Sequence, residues 1–137
     1  MKKILIVDDE KDIRNNIKAI LSDENYLVDT AENSDEALQL VNKNTYNLII
    51  LDVWLSDSTL DGIELLKNIK NLYKDMPVVI ISGHGNIEMA VDAIKEGAQE
   101  FIEKPFSSER LILSVSRSIE VAEIRDENQK LKEMNIY

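Results

Sequence analysis

Short unbroken apolar runs alternate along this chain with longer stretches in which apolar residues recur every three or four positions. The runs are Ile4-Leu5-Ile6-Val7, Leu48-Ile49-Ile50-Leu51 and Val78-Val79-Ile80-Ile81, with Tyr26 to Ala31 and Phe101 to Lys104 as weaker members. Such Ile-, Val- and Leu-rich runs read as strands buried on both faces. Between them, Ile13, Ile17, Ile20 and Leu21 lie on one side of a helix. Ile63, Leu66 and Ile69 do the same after Asp61-Gly62, and Ile87, Ala90, Val91 and Ile94 repeat the period before Gly97, a helix-terminating residue. Ser34 is placed to cap a helix over 35–43, and Pro77 opens the fourth strand, where a missing N–H is tolerated.

The pattern predicts five strands, near 3–8, 26–31, 47–52, 77–82 and 100–104, each followed by a helix. Strict alternation of this kind makes a parallel sheet covered by helices on both faces. The expected fold is therefore α/β, a flavodoxin-like (βα)5 doubly wound sheet with strand order 2-1-3-4-5. Its site belongs at the carboxyl ends of the strands, in the crevice between the first and third.

The last helix does not stop where a sheet-packing helix should. Leu111, Val115 and Ile119 can face the sheet, but the sequence stays helix-favouring beyond Ala122. Val121, Ile124, Asn128 and Leu131 then follow a 3-4-3 spacing, the seam of a short coiled coil with Asn128 as its polar, register-setting member. The domain organisation expected is a unit over 1–120 and a helical extension over 121–137.

Charge and composition narrow the class. The 137 residues carry sixteen basic and twenty-six acidic side chains, a formal net charge of −10. That balance argues against direct nucleic-acid binding by this segment, because such modules carry a basic face. There are no cysteines, so thiolate chemistry and disulfides are out, and no apolar run reaches membrane-spanning length. The start lacks the apolar region and cleavage site of a signal peptide. A cytoplasmic protein without membrane contact is expected.

Four of the five predicted strands leave a polar residue at that edge: Asp8-Asp9, Asp52, Ser82 and Lys104. Taken singly, an Asp after a strand is most often a turn former or cap. Together, three carboxylates, a hydroxyl and an ammonium suit a divalent cation and a phosphoryl group. Two like charges ~4 Å apart repel by ~4 kcal/mol at an effective dielectric near 20, and a hard cation relieves them. Mg²⁺, or Mn²⁺, would be held by Asp8, Asp9 and Asp52, with the Trp54 backbone carbonyl as a further oxygen. Lys104 would pair with a phosphoryl oxygen, and Ser82 would donate to another. His84, the single histidine, sits in a Gly-His-Gly stretch and reads as a loop residue.

These residues in this order resemble the receiver domain of bacterial two-component response regulators, a CheY-like fold, over residues 3 to about 120. The acidic pair falls on Asp8-Asp9, the phosphoacceptor on Asp52, the hydroxyl switch residue on Ser82, the switch aromatic on Phe101 and the Lys-Pro on Lys104-Pro105. The stretches 82–88 and 101–106 are most similar to the NtrC/NtrX-type group. The resemblance implies Mg²⁺-dependent phosphoryl transfer from a sensor histidine kinase to Asp52, with Ser82, Gly83, Lys104 and Trp54 around the phosphoryl group. Ser82 and Phe101 then rearrange, and a transcription-regulating output is switched. It implies a signalling module whose only catalysis is its own phosphorylation and slow dephosphorylation. A homodimer would form through the helix 4, strand 5, helix 5 face or through the C-terminal helix.

Full regulators of that group add AAA+ and DNA-binding domains. No Gly-x-x-x-x-Gly-Lys-Ser/Thr loop occurs here, so no ATPase is expected in this segment, and the DNA-binding part is expected only in a full-length regulator. The sequence departs from the family in Trp54-Leu55-Ser56, where Met-Pro is usual, and in a longer connection to Asp61-Gly62. Other readings remain: a stand-alone receiver or phosphorelay intermediate, a constitutive interaction module, or a Mg²⁺-dependent phosphatase with an Asp nucleophile. The phosphatase pattern places a second Asp two residues after the nucleophile, and that place holds Trp54.

Overall fold

The structure is a computed structural model that describes residues 1–53, 55, 61–83 and 87–134. Five parallel strands, β1 (Lys3–Val7), β2 (Leu27–Ala31), β3 (Leu48–Asp52), β4 (Val78–Ser82) and β5 (Glu100–Glu103), form one sheet in the order 2-1-3-4-5. Five helices connect and follow them: α1 (Lys11–Asp23), α2 (Ser34–Lys43), α3 (Gly62–Leu72), α4 (Ile87–Lys95) and α5 (Ser108–Met134).

Side-chain alternation along the strands divides the core in two. Ile4, Ile6, Leu48, Ile50, Val79, Ile81 and Ile102 face α1 and α5, meeting Ile17, Leu21, Leu111, Val115 and Ile119. Leu5, Val7, Ile49, Leu51, Val78 and Ile80 face α2, α3 and α4, meeting Ala37, Val41, Leu65, Leu66, Ile69 and Ala93. The central strands are buried on both sides, which is why they read as unbroken apolar runs. β2 is an edge strand with Leu27 exposed, so its signal is weaker.

Local chemistry sets the helix ends. The side chain of Asn33, not Ser34, caps α2 by accepting from the Glu36 amide at 2.8 Å. Ser34 is fully buried. Asp61 caps α3 in the same way through the Glu64 amide, also at 2.8 Å. Past α4, the amide of Gly97 (φ 106°) donates to Ile94 and that of Ala98 to Ala93, the paired bonds of a left-handed helix stop that glycine adopts without strain.

The α4 face differs from the sequence expectation. Ala90 and Ala93 are buried, whereas Val91 and Ile94 are each 47% exposed. Small residues let α4 approach the sheet, Met89 packs against the core beside them, and Val91 and Ile94 are left outside. The C-terminal helix is one continuous element from Ser108 to Met134, with Ile124 and Leu131 exposed on the part beyond the sheet.

Candidate functional site

β1 and β3 are neighbours, so the residues that end them meet. Asp8 follows β1 with its amide bonded to the Ala31 carbonyl (3.1 Å), which prolongs the β1–β2 ladder and fixes the backbone. Its carboxylate is 1% exposed. One oxygen accepts from the Glu10 amide at 2.8 Å, and the other from Lys104 Nζ at 3.2 Å. The Asp8 carbonyl in turn accepts from the Arg14 guanidinium, at 2.8 Å, so α1 is tied to the same turn. Asp52 is the last residue of β3, 4% exposed, and its carboxylate accepts from Lys104 Nζ at 3.1 Å. Asp9 completes the group: a carboxylate oxygen from each of Asp8, Asp9 and Asp52 lies within 4.8 Å of the others.

Lys104 reaches both strands because it follows β5 directly and its amide donates to the Ser82 carbonyl at 2.7 Å, extending the β4–β5 pairing. The Lys104-Pro105 bond is cis. Burial pulls the Lys104 pKa down, but the carboxylates of Asp52 and Asp8 outweigh it, and the net shift is upward. The ammonium is therefore a permanent charge at neutral pH.

Three gathered carboxylates are an all-oxygen donor set for a small hard cation, and they fit Mg²⁺ on charge and donor type. Ser82 ends β4, fully buried, with its hydroxyl turned to the Gly83 carbonyl at 3.2 Å. Among the described residues, nothing lies within 4 Å of where a Gly83 side chain would begin. Phe101 is half-buried against the α2–α3–α4 side of the core. The structure thus joins Asp8, Asp9, Asp52 and Lys104 directly, and sets Ser82 and Phe101 on the next two strands. Trp54 and His84, with 56–60, lie outside the described residues; Leu55 is buried.

One residue of the site carries no chemistry of its own. A Cβ on Gly62 would fall 2.3 Å from the Asp52 carbonyl oxygen and 2.5 Å from that of Val53. The first turn of α3 packs directly on the backbone that presents Asp52, and only glycine permits that approach. The Asp61-Gly62 pair signalled a helix start, but its contact with Asp52 is a tertiary fact that spacing does not reveal.

Residues 4–116 match the response regulator receiver domain family. The chain is 51% identical over 131 residues to the nitrogen assimilation regulatory protein NtrX of Azorhizobium caulinodans, covering 96% of this chain and 29% of that protein. Among solved structures, NtrX of Brucella abortus in complex with ADP superposes with a TM-score of 0.93 at 49% identity, over 96% of this chain and 30% of that one. The isolated receiver domain of the same protein gives a TM-score of 0.84 at 53% identity, over 85% of this chain and 98% of that one. The chain therefore spans under a third of the curated regulators it matches. No helix among the described residues is long and apolar enough to cross a membrane.

Proposed function

The chain belongs to the response regulator receiver domain family, in its NtrX/NtrC-type group, and from that premise we propose that Asp52 is its phosphoacceptor. The observation that carries this reading is the placement of Lys104 Nζ within hydrogen-bonding distance of both Asp8 and Asp52, with Asp9 alongside. A carboxylate oxygen of Asp52 attacks phosphorus, and the bond to the donor breaks. With a histidine kinase as donor, that bond is the one to the phosphohistidine nitrogen.

Asp8 and Asp9, with Asp52, would hold Mg²⁺, which when bound offsets the charge of the incoming phosphoryl group. Lys104 holds the Asp52 carboxylate and follows the new phosphoryl oxygens as a point charge. The Ser82 hydroxyl exchanges its Gly83 carbonyl acceptor for a phosphoryl oxygen, and Phe101 on the adjacent strand repacks into the space beside α4. The exposed pair Val91 and Ile94 on α4, with Leu113 on α5, is then the apolar surface whose partner changes. The helix seam through Ile124 and Leu131 carries the change toward an output domain. The role is that of a stored signal, not of an enzyme turning over a substrate.

The test is intact mass after incubation with acetyl phosphate and Mg²⁺. One phosphoryl group is expected per chain, and none on Asp52→Asn. Stoichiometric uptake by Asp52→Asn would overturn the assignment.

A further inference from the structure

A second cleft, of about 350 Å³, opens at the amino edge of the sheet, the end opposite the carboxylates. Its walls are the C-terminal turn of α3, the segment leading into β4, Gln99 just before β5, and the part of α5 that runs past the sheet. Three cations converge there, Lys70, Lys74 and Arg125, on a chain whose net charge is −10. Lys70 is half-buried, its stem lying against Gly97 and its Nζ donating to the Met76 carbonyl at 3.0 Å. An ammonium carries three donors, so this bond leaves two for a ligand. Burial lowers the Lys70 pKa, Asp75 opposes the shift, and Arg125 adds to it. Arg125 reaches over from α5 with one nitrogen on the Gln99 side-chain oxygen at 3.3 Å.

We propose that this cleft binds a small organic phosphate. The cations supply what a phosphate monoester needs: ammonium point charges from Lys70 and Lys74, and a planar fork from Arg125. The volume lies within the small-molecule range and leaves room for an organic portion beyond the phosphate. Met76, Pro77 and Ala122 give that portion an apolar floor. Two acids also line the cleft. Asp126 is drawn off by Lys130 at 3.2 Å, and Asp75 lies beside Lys70. Against them the three cations keep only a small net excess, which suits a monoester better than a highly charged polyphosphate. A ligand held by both Lys70 and Arg125 would pin the extension of α5 to α3, giving that helix a second input independent of Asp52.

The experiment is an amide-resonance titration of the whole chain, without divalent cations, using ribose 5-phosphate, adenosine monophosphate, inorganic phosphate and adenosine. Saturable shifts at residues 70–77, 99 and 122–128 are expected with the two organic phosphates. Lys70→Met, which keeps the aliphatic stem, and Arg125→Gln should each weaken binding by about tenfold, the size of one charged hydrogen bond. Lys74→Gln, on the exposed rim, serves as a further variant with little risk to folding. Asp52→Asn should bind unchanged. Absence of saturation at millimolar ligand, equal binding of adenosine or inorganic phosphate, or undiminished binding by the cation variants would overturn the proposal.

Discussion

β5 has an ionic cluster at each end, and the two are built on opposite principles. At its start, one carboxylate, Glu100, sits between two arginines of α5, with Arg110 at 2.7 Å and Arg117 at 2.6 Å. Just past its end, one ammonium, Lys104, sits between two buried carboxylates with a third nearby. The first cluster has more cation than anion, and its carboxyl is held below the usual glutamate range despite burial, which acts the other way. In the second, among the described residues, three carboxylates gather around one ammonium, a formal −3 + 1 = −2. A half-buried anion fully paired with cations, the matched cluster, holds the helix on the sheet; anions that outnumber their cation, the unmatched cluster, leave charge that a bound cation would offset.

The largest effect that separates the two clusters should follow removal of Lys104. Lys104→Met strips the ammonium from two nearly fully buried carboxylates, and breaking such a pair from one side costs about 3 kcal/mol. Urea unfolding without divalent cations should show that loss, and millimolar Mg²⁺ should restore part of it, because the cation binds the folded cluster. The sign with pH is fixed by the raised pKa of Lys104. Its contribution is complete below the ordinary lysine pKa and is lost as pH rises through the folded value. An unchanged midpoint in Lys104→Met would mean that the cluster is not under electrostatic strain.

Gly62→Ala probes the backbone beneath the unmatched cluster. The new methyl meets backbone oxygens of Asp52 and Val53, which have no rotamer with which to yield. Overpacking of this kind costs about 2 kcal/mol. Because the displaced segment carries Asp52, the variant should also take up phosphoryl groups more slowly in a time course of intact mass. A stability loss with unaltered uptake would separate the packing of α3 from the presentation of Asp52.

Asp52→Asn should move the other way. It removes one of three mutually repelling charges at the cost of one ion pair with Lys104, which keeps Asp8. The expected gain without Mg²⁺ is about 1 kcal/mol, or a rise of roughly 4 °C in melting temperature for a domain of this size. A lowered melting temperature would show that the Lys104 bond outweighs the repulsion.

How far these clusters could be foreseen follows from what each depends on. Asp8, Asp9, Asp52 and Lys104 were legible because each ends an apolar run, and parallel strands bring their ends to one edge. The strand order followed from the same alternation. The position of α4 was less legible: Ala90 and Ala93 face inward while Val91 and Ile94 do not, since hydrophobicity ranks the larger residues as core and close helix–sheet approach favours the smaller ones. The α2 cap lay one residue earlier than Ser34, because Asn and Ser are near-equal caps and geometry decides. Gly62 and the Glu100 cluster were invisible, as both depend on contacts between distant segments.

The smallest effect belongs to the matched cluster. Arg110 and Arg117 are 41% and 51% exposed, so water and salt screen much of their attraction for Glu100. Glu100→Gln should cost about 1 kcal/mol, and less at high salt. Its pH dependence runs opposite to that of Lys104. A carboxyl whose folded pKa is lowered stabilises above its unfolded value, about 4.3 for glutamate, and that contribution disappears as pH falls through the folded value. The gap between the native chain and Glu100→Gln should therefore be constant from pH 8 to about pH 5 and close below about pH 4. A gap that persists in acid would mean that Glu100 holds α5 by packing and neutral hydrogen bonds, and the contrast between the ends of β5 would then not be one of charge.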